Sequence, residues 1–231
     1  MIYLLKDAKK LKKVFKKFKL TFSKKSNTLF DDKELIYSCW ITNIFQEAMK
    51  VPGHIIEIGV ASGRNSLLFG SLLKLTGESN HRKYYGFDTF EGYVEDTISD
   101  NPWLSSNSWK NEDCKLDNVK KRIQKADLSE TCTFFKGDCR KTIPEFLSTH
   151  KDNRIQAGQA VISLLYIDCN CYLPAISSIE EIYPYIAPGG IICLDEKKQG
   201  GETKALLEFA RTRNLIAKHS YYGVPAYLQK I

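Results

Sequence analysis

Five short apolar runs, each typical of a buried β-strand, alternate along the chain with stretches that have helical spacing. An acidic residue lies near the end of each run, and the five acids are Glu57, Asp88, Asp138, Asp168 and Asp195. Apolar runs that alternate with helices predict a mostly parallel sheet covered by helices on both faces. Because ligands bind outside the carboxyl ends of the strands in such a sheet, we expect the acids to lie near one site.

The order of the predicted elements is that of a doubly wound α/β fold. The predicted strands span residues 54–59, 83–88, 132–138, 161–168 and 189–195. The predicted helices span residues 34–50, 63–77, 115–126, 141–150, 173–186 and 201–214. Two further runs, 215–220 and 225–231, predict a closing antiparallel strand pair.

The lysine-rich N-terminus differs sharply in charge from the rest of the chain. Residues 1–25 hold ten lysines and one aspartate, a net charge of +9, so the remaining residues carry −2 of the overall +7. Apolar residues at helical spacing predict a basic amphipathic helix over 2–22. This helix could lie on an anionic membrane surface, pack against another subunit of a homo-oligomer, or stay loosely ordered.

Length and composition predict one domain preceded by this arm. With 231 residues and 43% hydrophobic content, the chain can bury one sizeable core. We therefore divide it into a basic amphipathic arm with a linker, residues 1–28, and a single α/β domain, residues 29–231, that begins with an extra N-terminal helix.

Several classes of protein are disfavoured by the sequence. The slightly acidic body does not indicate binding to nucleic acid. The seven cysteines include no C-x-x-C pair, which fits a reducing cytoplasm rather than a disulfide framework. No apolar run approaches the roughly 20 residues of a membrane span, and lysines interrupt the N-terminal region where a secretory signal would be apolar. We expect a cytoplasmic protein, with peripheral membrane contact as one option for the arm.

A glycine pair follows the first predicted strand. The stretch "EIGVASGRNS" reads E-x-G-x-x-x-G, and Gly59 and Gly63 allow either a plain tight turn or a close approach of the backbone to a ligand. The spacing is not the G-x-G-x-x-G of dinucleotide-binding folds, which disfavours a nicotinamide dehydrogenase.

The acids after the second and third strands suit a nucleoside. Asp88 could accept hydrogen bonds from both hydroxyls of a ribose, and Asp138 could accept one from an adenine amino group. Each also has a structural alternative, since an aspartate at this position can cap the backbone that follows it.

These motifs resemble those of class I S-adenosylmethionine-dependent methyltransferases, and more narrowly the macrocin O-methyltransferase family of sugar methyltransferases. The resemblance covers about residues 50–212 and rests on "VPGHIIEIGVASGRNS", "YYGFDTFEG", "KGDCRKTIP" and "YIDCNCYLPAISSIEEIYPYIAPGGIICLDE". It implies a Rossmann-like fold and S-adenosylmethionine as the cofactor. The implied cofactor-binding residues are Glu57, Gly59 and Gly63 at the methionine end, Ser62, Asn65 and Ser66 at the helix start, Asp88 at the ribose with Phe90 as the apolar neighbour there, and Asp138 near adenine.

The acids after the fourth and fifth strands suggest a metal site. Asp168, Asp195 and Glu196 would present the hard oxygen ligands that Mg²⁺ prefers. Such a metal could bind adjacent hydroxyls of a sugar, lower the pKa of the acceptor and orient its oxygen; Asp168 could also accept the proton. Alternatively, these acids cap helices or pair with Arg64 or a lysine.

The chain departs from the family pattern at two positions. Where the family has the second aspartate of a D-x-D segment, this chain has Asn170, and the second acid of the later pair is Glu196. A long polar loop, 93–113, follows the second strand and is long enough to be a lid or binding loop. Its Trp103 and Trp109 could stack on a sugar ring or anchor the loop to the body.

The sequence thus predicts metal-assisted O-methyl transfer from S-adenosylmethionine to a hydroxyl of a sugar or glycosylated small molecule. A catechol-type or other small-molecule O-methyltransferase is the nearest alternative, because that chemistry also uses a metal and adjacent hydroxyls. A membrane-associated S-adenosylmethionine-binding protein with weakened catalysis is the third, since Asn170 and Glu196 alter the acidic set.

Overall fold

The computed structural model describes residues 32–99, 101, 104–150, 152–195, 200–221, 223 and 225–231. The chain divides into two compact units, residues 1–43 and 44–231. Of the first unit only the beginning of helix α1 (Asp32–Ala48) is described. The predicted amphipathic helix at 2–22 and the predicted boundary at residue 28 lie outside the described residues.

The second unit is built on one seven-stranded sheet. Five strands are parallel: β1 (His54–Ile58), β2 (Tyr84–Asp88), β3 (Cys132–Lys136), β4 (Ile162–Ile167) and β5 (Ile186–Leu194). Two are antiparallel: β6 (Lys218–His219) and β7 (Pro225–Gln229). The strand order is β3-β2-β1-β4-β5-β7-β6. The predicted doubly wound sheet with a closing antiparallel pair is confirmed.

Helices lie between the strands. They are α2 (Arg64–Leu75), α3 (Leu116–Lys125), α4 (Cys139–Thr149), α5 (Asn153–Gln156), α6 (Tyr172–Ile182) and α7 (Gly201–Thr212). Short 3₁₀ turns occupy Glu78–Asn80, Glu95–Thr97, Glu112–Cys114 and Tyr183–Tyr185. Within the described part of the chain, no helix combines the length and the apolar character that crossing a membrane would require.

The largest difference from the predicted elements lies between the fourth and fifth strands. The helix predicted to end at residue 186 ends at Ile182, and β5 begins at Ile186 rather than at Gly189. The Pro-Gly-Gly segment is therefore part of the strand. Its backbone is paired, because the N–H of Gly189 donates to the carbonyl of Lys230 (2.8 Å) and the N–H of Lys230 donates to that of Gly190 (2.9 Å).

The two faces of the sheet differ in polarity. One face carries Ile56, Ile58 and Leu165, which pack in an apolar cluster with residues of α4, α6 and α7. The alternate residues point to the other face because successive side chains on a strand alternate. Glu57 and Tyr166 lie on that second face, paired across β1 and β4. The sheet thus places polar groups beneath one side of the predicted site.

A second polar cluster lies at the amino end of β1, away from that site. His54 is buried, and its Nδ1 accepts a hydrogen bond from the backbone N–H of Lys83 (3.0 Å), so its Nε2 carries the proton and donates to Asp152 (3.3 Å). Burial lowers the pKa of His54, although Asp152 opposes the shift. The cluster favours the neutral imidazole.

Candidate active site

The centre of the sheet forms the crevice in which such folds bind ligands. The strand order changes direction between β1 and β4, which lie side by side, and ligands bind at the carboxyl ends of strands at this point. Ile58 pairs with Ile167, so the residues that follow the two strands, Gly59 and Asp168, are neighbours.

Gly59 lies where two backbone segments come too close for a side chain. Its φ is +89°, and a Cβ built on it would lie 2.0 Å from the carbonyl oxygen of Asp168. The strand ends are joined here, since the N–H of Asp168 donates to the carbonyl of Ile58 (2.7 Å). The close approach of the two backbone segments explains why position 59 is a glycine. The loop between β1 and α2, residues 59–63 and here called the Gly59 loop, therefore lies directly against Asp168.

Gly63 ends the same loop and starts helix α2. It is the N-cap residue, with φ +82°, and a Cβ there would meet the side chain of Val119 at 3.0 Å. The carbonyl of the preceding Ser62 accepts a hydrogen bond from Nε of Arg122 (3.1 Å). The loop is thus fixed by α3, and contact of Ser62 and Gly63 with a cofactor stays a prediction.

Glu57 is fully buried within β1 and hydrogen-bonded on one side only. Its Oε2 accepts from the hydroxyl of Tyr84 and lies 3.4 Å from that of Ser66. Its Oε1 has no hydrogen-bond partner among the described residues. Burial raises the pKa of Glu57 well above its usual value; Asn65 opposes this shift, and the negative charge of Asp168 adds to it. The raised pKa favours the neutral acid, and a direct contact of Glu57 with a cofactor stays a prediction.

Ser66 and Asn65 lie in the first turn of α2, and both are buried. The hydroxyl of Ser66 lies 2.7 Å from that of Tyr84, so its described contacts are with the protein. Both side chains lie beside Glu57 and oppose the rise of its pKa. Their direct contact with a cofactor stays a prediction.

Asp88 holds the loop between β1 and α2. One carboxylate oxygen accepts the backbone N–H groups of Val60 (2.7 Å) and Ala61 (2.9 Å), and the other accepts that of Phe90 (2.6 Å). The capping alternative is therefore seen in the structure. A ribose would have to use lone pairs that these three bonds leave, so the predicted ribose contact and the observed loop contact involve the same carboxylate.

Asp138 is the N-cap residue of α4, as the structural alternative predicted. It accepts from the backbone N–H of Arg140 (3.0 Å) and forms an ion pair with the guanidinium of the same residue (2.6 Å). Arg140 also contacts Asp96 of the 93–113 loop (2.8 Å), whose pKa it lowers. Arg140 thus fastens the loop to α4, and an adenine contact of Asp138 stays a prediction.

Phe90 lies beside this region and is buried. It has φ +56°, and its ring packs edge-on against Phe134 with the centroids 6.3 Å apart. Its predicted role as an apolar neighbour of the cofactor stays a prediction.

Asp168 and Asp195 follow the adjacent strands β4 and β5. The N–H of Asp195 donates to the carbonyl of Ile167 (3.0 Å), which fixes the two acids side by side at the carboxyl ends of these strands. Oδ1 of Asp195 accepts a hydrogen bond from the buried hydroxyl of Tyr166 (2.7 Å). The predicted pair is therefore brought together, and Tyr166 is a contact that the sequence analysis missed.

The third predicted metal ligand, Glu196, lies outside the described residues. Across the part of the chain that is described, no three His, Cys, Asp or Glu side chains form a group that could hold a metal ion. Asp168 and Asp195 nevertheless offer the oxygen donors that Mg²⁺ prefers. The two acids are chemically suitable ligands, and the metal itself stays a prediction.

Asn170 is turned toward the loop that follows β2. Its Nδ2 donates to the hydroxyl of Tyr93 (3.0 Å), and its backbone carbonyl accepts from Nδ2 of Asn101 (3.1 Å). Burial, with the nearby Cys171, raises the pKa of Tyr93, so this phenol stays protonated. Asn170 thus joins the turn after Asp168 to the 93–113 loop.

Glu202, in the first turn of α7, was not predicted as a site residue. It is 2% exposed, and its Oε1 accepts from the backbone N–H groups of Cys169 and Asn170. An acid in the first turn of a helix is ordinarily a surface residue that complements the helix dipole. No local pattern around Glu202 therefore indicates that it is buried against the turn after Asp168.

Of the two tryptophans in the 93–113 loop, only Trp109 lies within the described residues. Trp103 lies outside the described residues, and the side chain of Trp109 is 54% exposed. Trp109 is therefore not packed into the core, and stacking on a sugar stays a prediction.

Comparison with known proteins gives one family match that spans most of the chain. The family model for macrocin-O-methyltransferase (TylF) matches residues 37–220. Comparison with curated protein sequences gives no match.

Several solved structures share the fold. CalS11, a calicheamicin methyltransferase, superposes with a TM-score of 0.69 at 23% identity, over 86% of this chain and 80% of its own. The O-methyltransferase NovP gives 0.65 at 19% identity, over 82% and 78%. TomG from Streptomyces achromogenes, an O-methyltransferase of tomaymycin synthesis solved with S-adenosylmethionine, gives 0.52 at 10% identity, over 93% and 84%. At these identities the likeness shows the fold alone.

Proposed function

The chain belongs to the macrocin-O-methyltransferase family and is an S-adenosylmethionine-dependent methyltransferase, and we propose that it methylates a hydroxyl of a sugar or of a glycosylated small molecule. The observation that carries the proposal is the placement of Asp168 and Asp195 side by side at the ends of β4 and β5, directly against the Gly59 loop. Cofactor and acceptor then meet at the point where the strand order reverses.

The proposed division of labour follows the strands. The ends of β1 and β2 supply the cofactor side: Glu57, Gly59 and Gly63 shape the methionine end, and Asp88 serves the ribose and the loop. The ends of β4 and β5 supply the acceptor side. In the transfer, the acceptor oxygen attacks the methyl carbon, the carbon–sulfur bond breaks, and the hydroxyl proton leaves. Asp168 is the proposed proton acceptor because it lies nearest to the Gly59 loop.

A sugar acceptor is supported by the family and by the neighbours. A second structure of CalS11, at 24% identity, is described as a TDP-rhamnose 3′-O-methyltransferase. A sugar hydroxyl is a weak nucleophile at neutral pH, so the reaction needs help in removing its proton. Mg²⁺ held by Asp168 and Asp195, with Glu196 as a third ligand, would supply that help by acidifying the bound hydroxyl.

The same two acids would also suit a catechol, whose adjacent hydroxyls are more acidic than those of a sugar. The positions of Asp168 and Asp195 suit both acceptor classes, so a test with substrates of each class has to distinguish them.

The test is transfer of a tritiated methyl group from S-adenosylmethionine to a panel of nucleotide sugars, glycosides and catechols. We expect label in a sugar or glycoside, with S-adenosylhomocysteine formed in equal amount. Label only in catechols would move the acceptor to the alternative class, and label in none would contradict the proposal.

The metal is tested on the same enzyme after dialysis against EDTA. We expect loss of transfer and its recovery on addition of Mg²⁺. Unchanged transfer without metal would mean that Asp168 and Asp195 act without one. Asp117→Asn, a change of an exposed acid on α3, is the matched control for the acid substitutions considered below.

A further inference from the structure

A buried carboxylate supports the turn that carries Asp168. The side chain of Glu202 rises from the first turn of α7, and one of its oxygens accepts two consecutive backbone N–H groups, those of Cys169 and Asn170. Burying a carboxylate is unfavourable unless such bonds compensate it. Two adjacent N–H groups that converge on one oxygen form an anion-binding concavity of the backbone, and here the protein's own acid fills it.

The turn is held on its other sides as well. Asn170 has φ +59°, a left-handed conformation that needs support in a non-glycine residue. Its carbonyl accepts from Asn101, and its side chain donates to Tyr93. Upstream, the N–H of Asp168 donates to Ile58. Among these described contacts, only the one made by Glu202 comes from the segment that follows β5.

Glu202 therefore connects the two acidic strand ends. β5 ends at Leu194, Asp195 follows it, and α7 begins at Gly201. A contact from α7 to the turn after β4 fixes the turn relative to the segment that carries Asp195. A small misplacement of a reacting group can cost catalysis on the order of 100-fold.

We propose that Glu202 is a positioning residue of the transferase: by holding the backbone N–H groups after Asp168, it sets the direction in which the Asp168 carboxylate faces the acceptor. The proposal rests on the proposed function, because it assigns Asp168 to the acceptor side. Glu202 itself contacts backbone and acts through the turn.

The test compares Glu202→Ala, Glu202→Gln and Glu208→Ala. Glu208 lies on the same helix, and its carboxylate accepts from the hydroxyl of Tyr172 (2.9 Å), so it is a matched control. We expect Glu202→Ala to lower kcat about 100-fold while the Kd for S-adenosylmethionine stays within about threefold and the Tm stays near that of Glu208→Ala. Glu202→Gln keeps an oxygen acceptor in place and should restore most of the rate.

A spectroscopic readout is independent of turnover. In the wild-type protein we expect the amide protons of Cys169 and Asn170 to resonate downfield, and to move upfield in Glu202→Gln because the acceptor is no longer charged. If no acceptor is methylated by the wild type, the proposed function fails while these shifts still test the turn.

Three results would overturn the proposal. The first is a wild-type kcat in Glu202→Ala. The second is a loss of cofactor affinity and of Tm in parallel with the rate in both Glu202 variants, which would make Glu202 structural only. The third is amide shifts in Glu202→Gln that do not move.

Discussion

Replacing Gly59 with alanine should lower the stability of the protein more than the small volume of the added methyl group suggests. A Cβ at this position would lie 2.0 Å from the carbonyl oxygen of Asp168 and 2.6 Å from its carbonyl carbon. Both atoms are backbone, so no side chain can rotate away, and the ends of β1 and β4 must separate. The change therefore acts on the cofactor loop and on Asp168 together.

The magnitude follows from two contributions. Alanine with a φ of +89° costs about 1–2 kcal/mol relative to glycine. Forcing a methyl group into packed backbone costs about 1–3 kcal/mol more. We expect Gly59→Ala to lower the free energy of unfolding by roughly 3 kcal/mol, which for a chain of this size corresponds to a fall in Tm of roughly 6–12 °C.

Gly77→Ala is the control that separates the two contributions. Gly77 has a similar φ, +77°, but no atom lies within 4 Å of a built Cβ, so only the backbone cost of about 1–2 kcal/mol applies. Urea unfolding and calorimetric titration with S-adenosylmethionine should show the larger loss of stability, and weaker binding, in Gly59→Ala alone. Equal unfolding midpoints for the two variants, with unchanged cofactor affinity, would refute the close-approach argument.

Three further predictions concern other parts of the chain. Asp88→Ala should weaken S-adenosylmethionine binding by roughly 1.5–3 kcal/mol, the value of a charge-assisted hydrogen bond, in isothermal titration; unchanged affinity would remove Asp88 from the site. The pKa of His54 is lowered below its ordinary 6.5, so the folded state binds the proton less readily than the unfolded state, and stability should fall as the pH drops from 6.5 toward the folded pKa. His54→Gln should reduce this slope in urea midpoints measured against pH, the exposed His81→Gln should not, and identical slopes would contradict the assignment. Deletion of residues 1–25 should leave cofactor binding intact and abolish sedimentation with anionic vesicles at low salt; no sedimentation of the full chain would favour the subunit-contact or loosely ordered alternative.

Most of the fold could be predicted because its signals are local. Strands β1, β2, β4 and β5 are mostly buried on both faces, so they contain apolar runs such as residues 191–194. Turn residues mark the ends of the helices between them. The Pro-Gly-Gly segment misled the prediction because its turn chemistry is strong, whereas its pairing with Lys230 is a contact between distant parts of the chain.

The site was predictable only in part, for a related reason. The acids were visible because a carboxylate at the end of an apolar run is unusual, and Asp168 and Asp195 do lie together. Their supports were not visible. Tyr166 and Tyr84 look like ordinary strand residues, and only the register across the sheet directs their hydroxyls to Asp195 and Glu57.

The capping roles show a different kind of limit. Asp138 was assigned either to a cap or to an adenine, and the sequence could not separate these because both use the same residue type at the same place. The structure adds the Arg140 ion pair, which depends on an acid in a distant loop, Asp96. Burial of Glu202 is likewise set by packing between segments more than 30 residues apart.

The division of labour between the strand ends is tested most directly by the methyl-transfer rate of Asp168→Asn at saturating S-adenosylmethionine, measured with the acceptor found for the wild type. The substitution is nearly isosteric and removes one negative charge on the acceptor side. The account predicts a rate reduced on the order of 100-fold or more, with cofactor affinity within a few-fold of wild type and the Asp117→Asn control unaffected. A wild-type rate for Asp168→Asn would contradict it, because the acid beside the Gly59 loop would then have no part in the transfer.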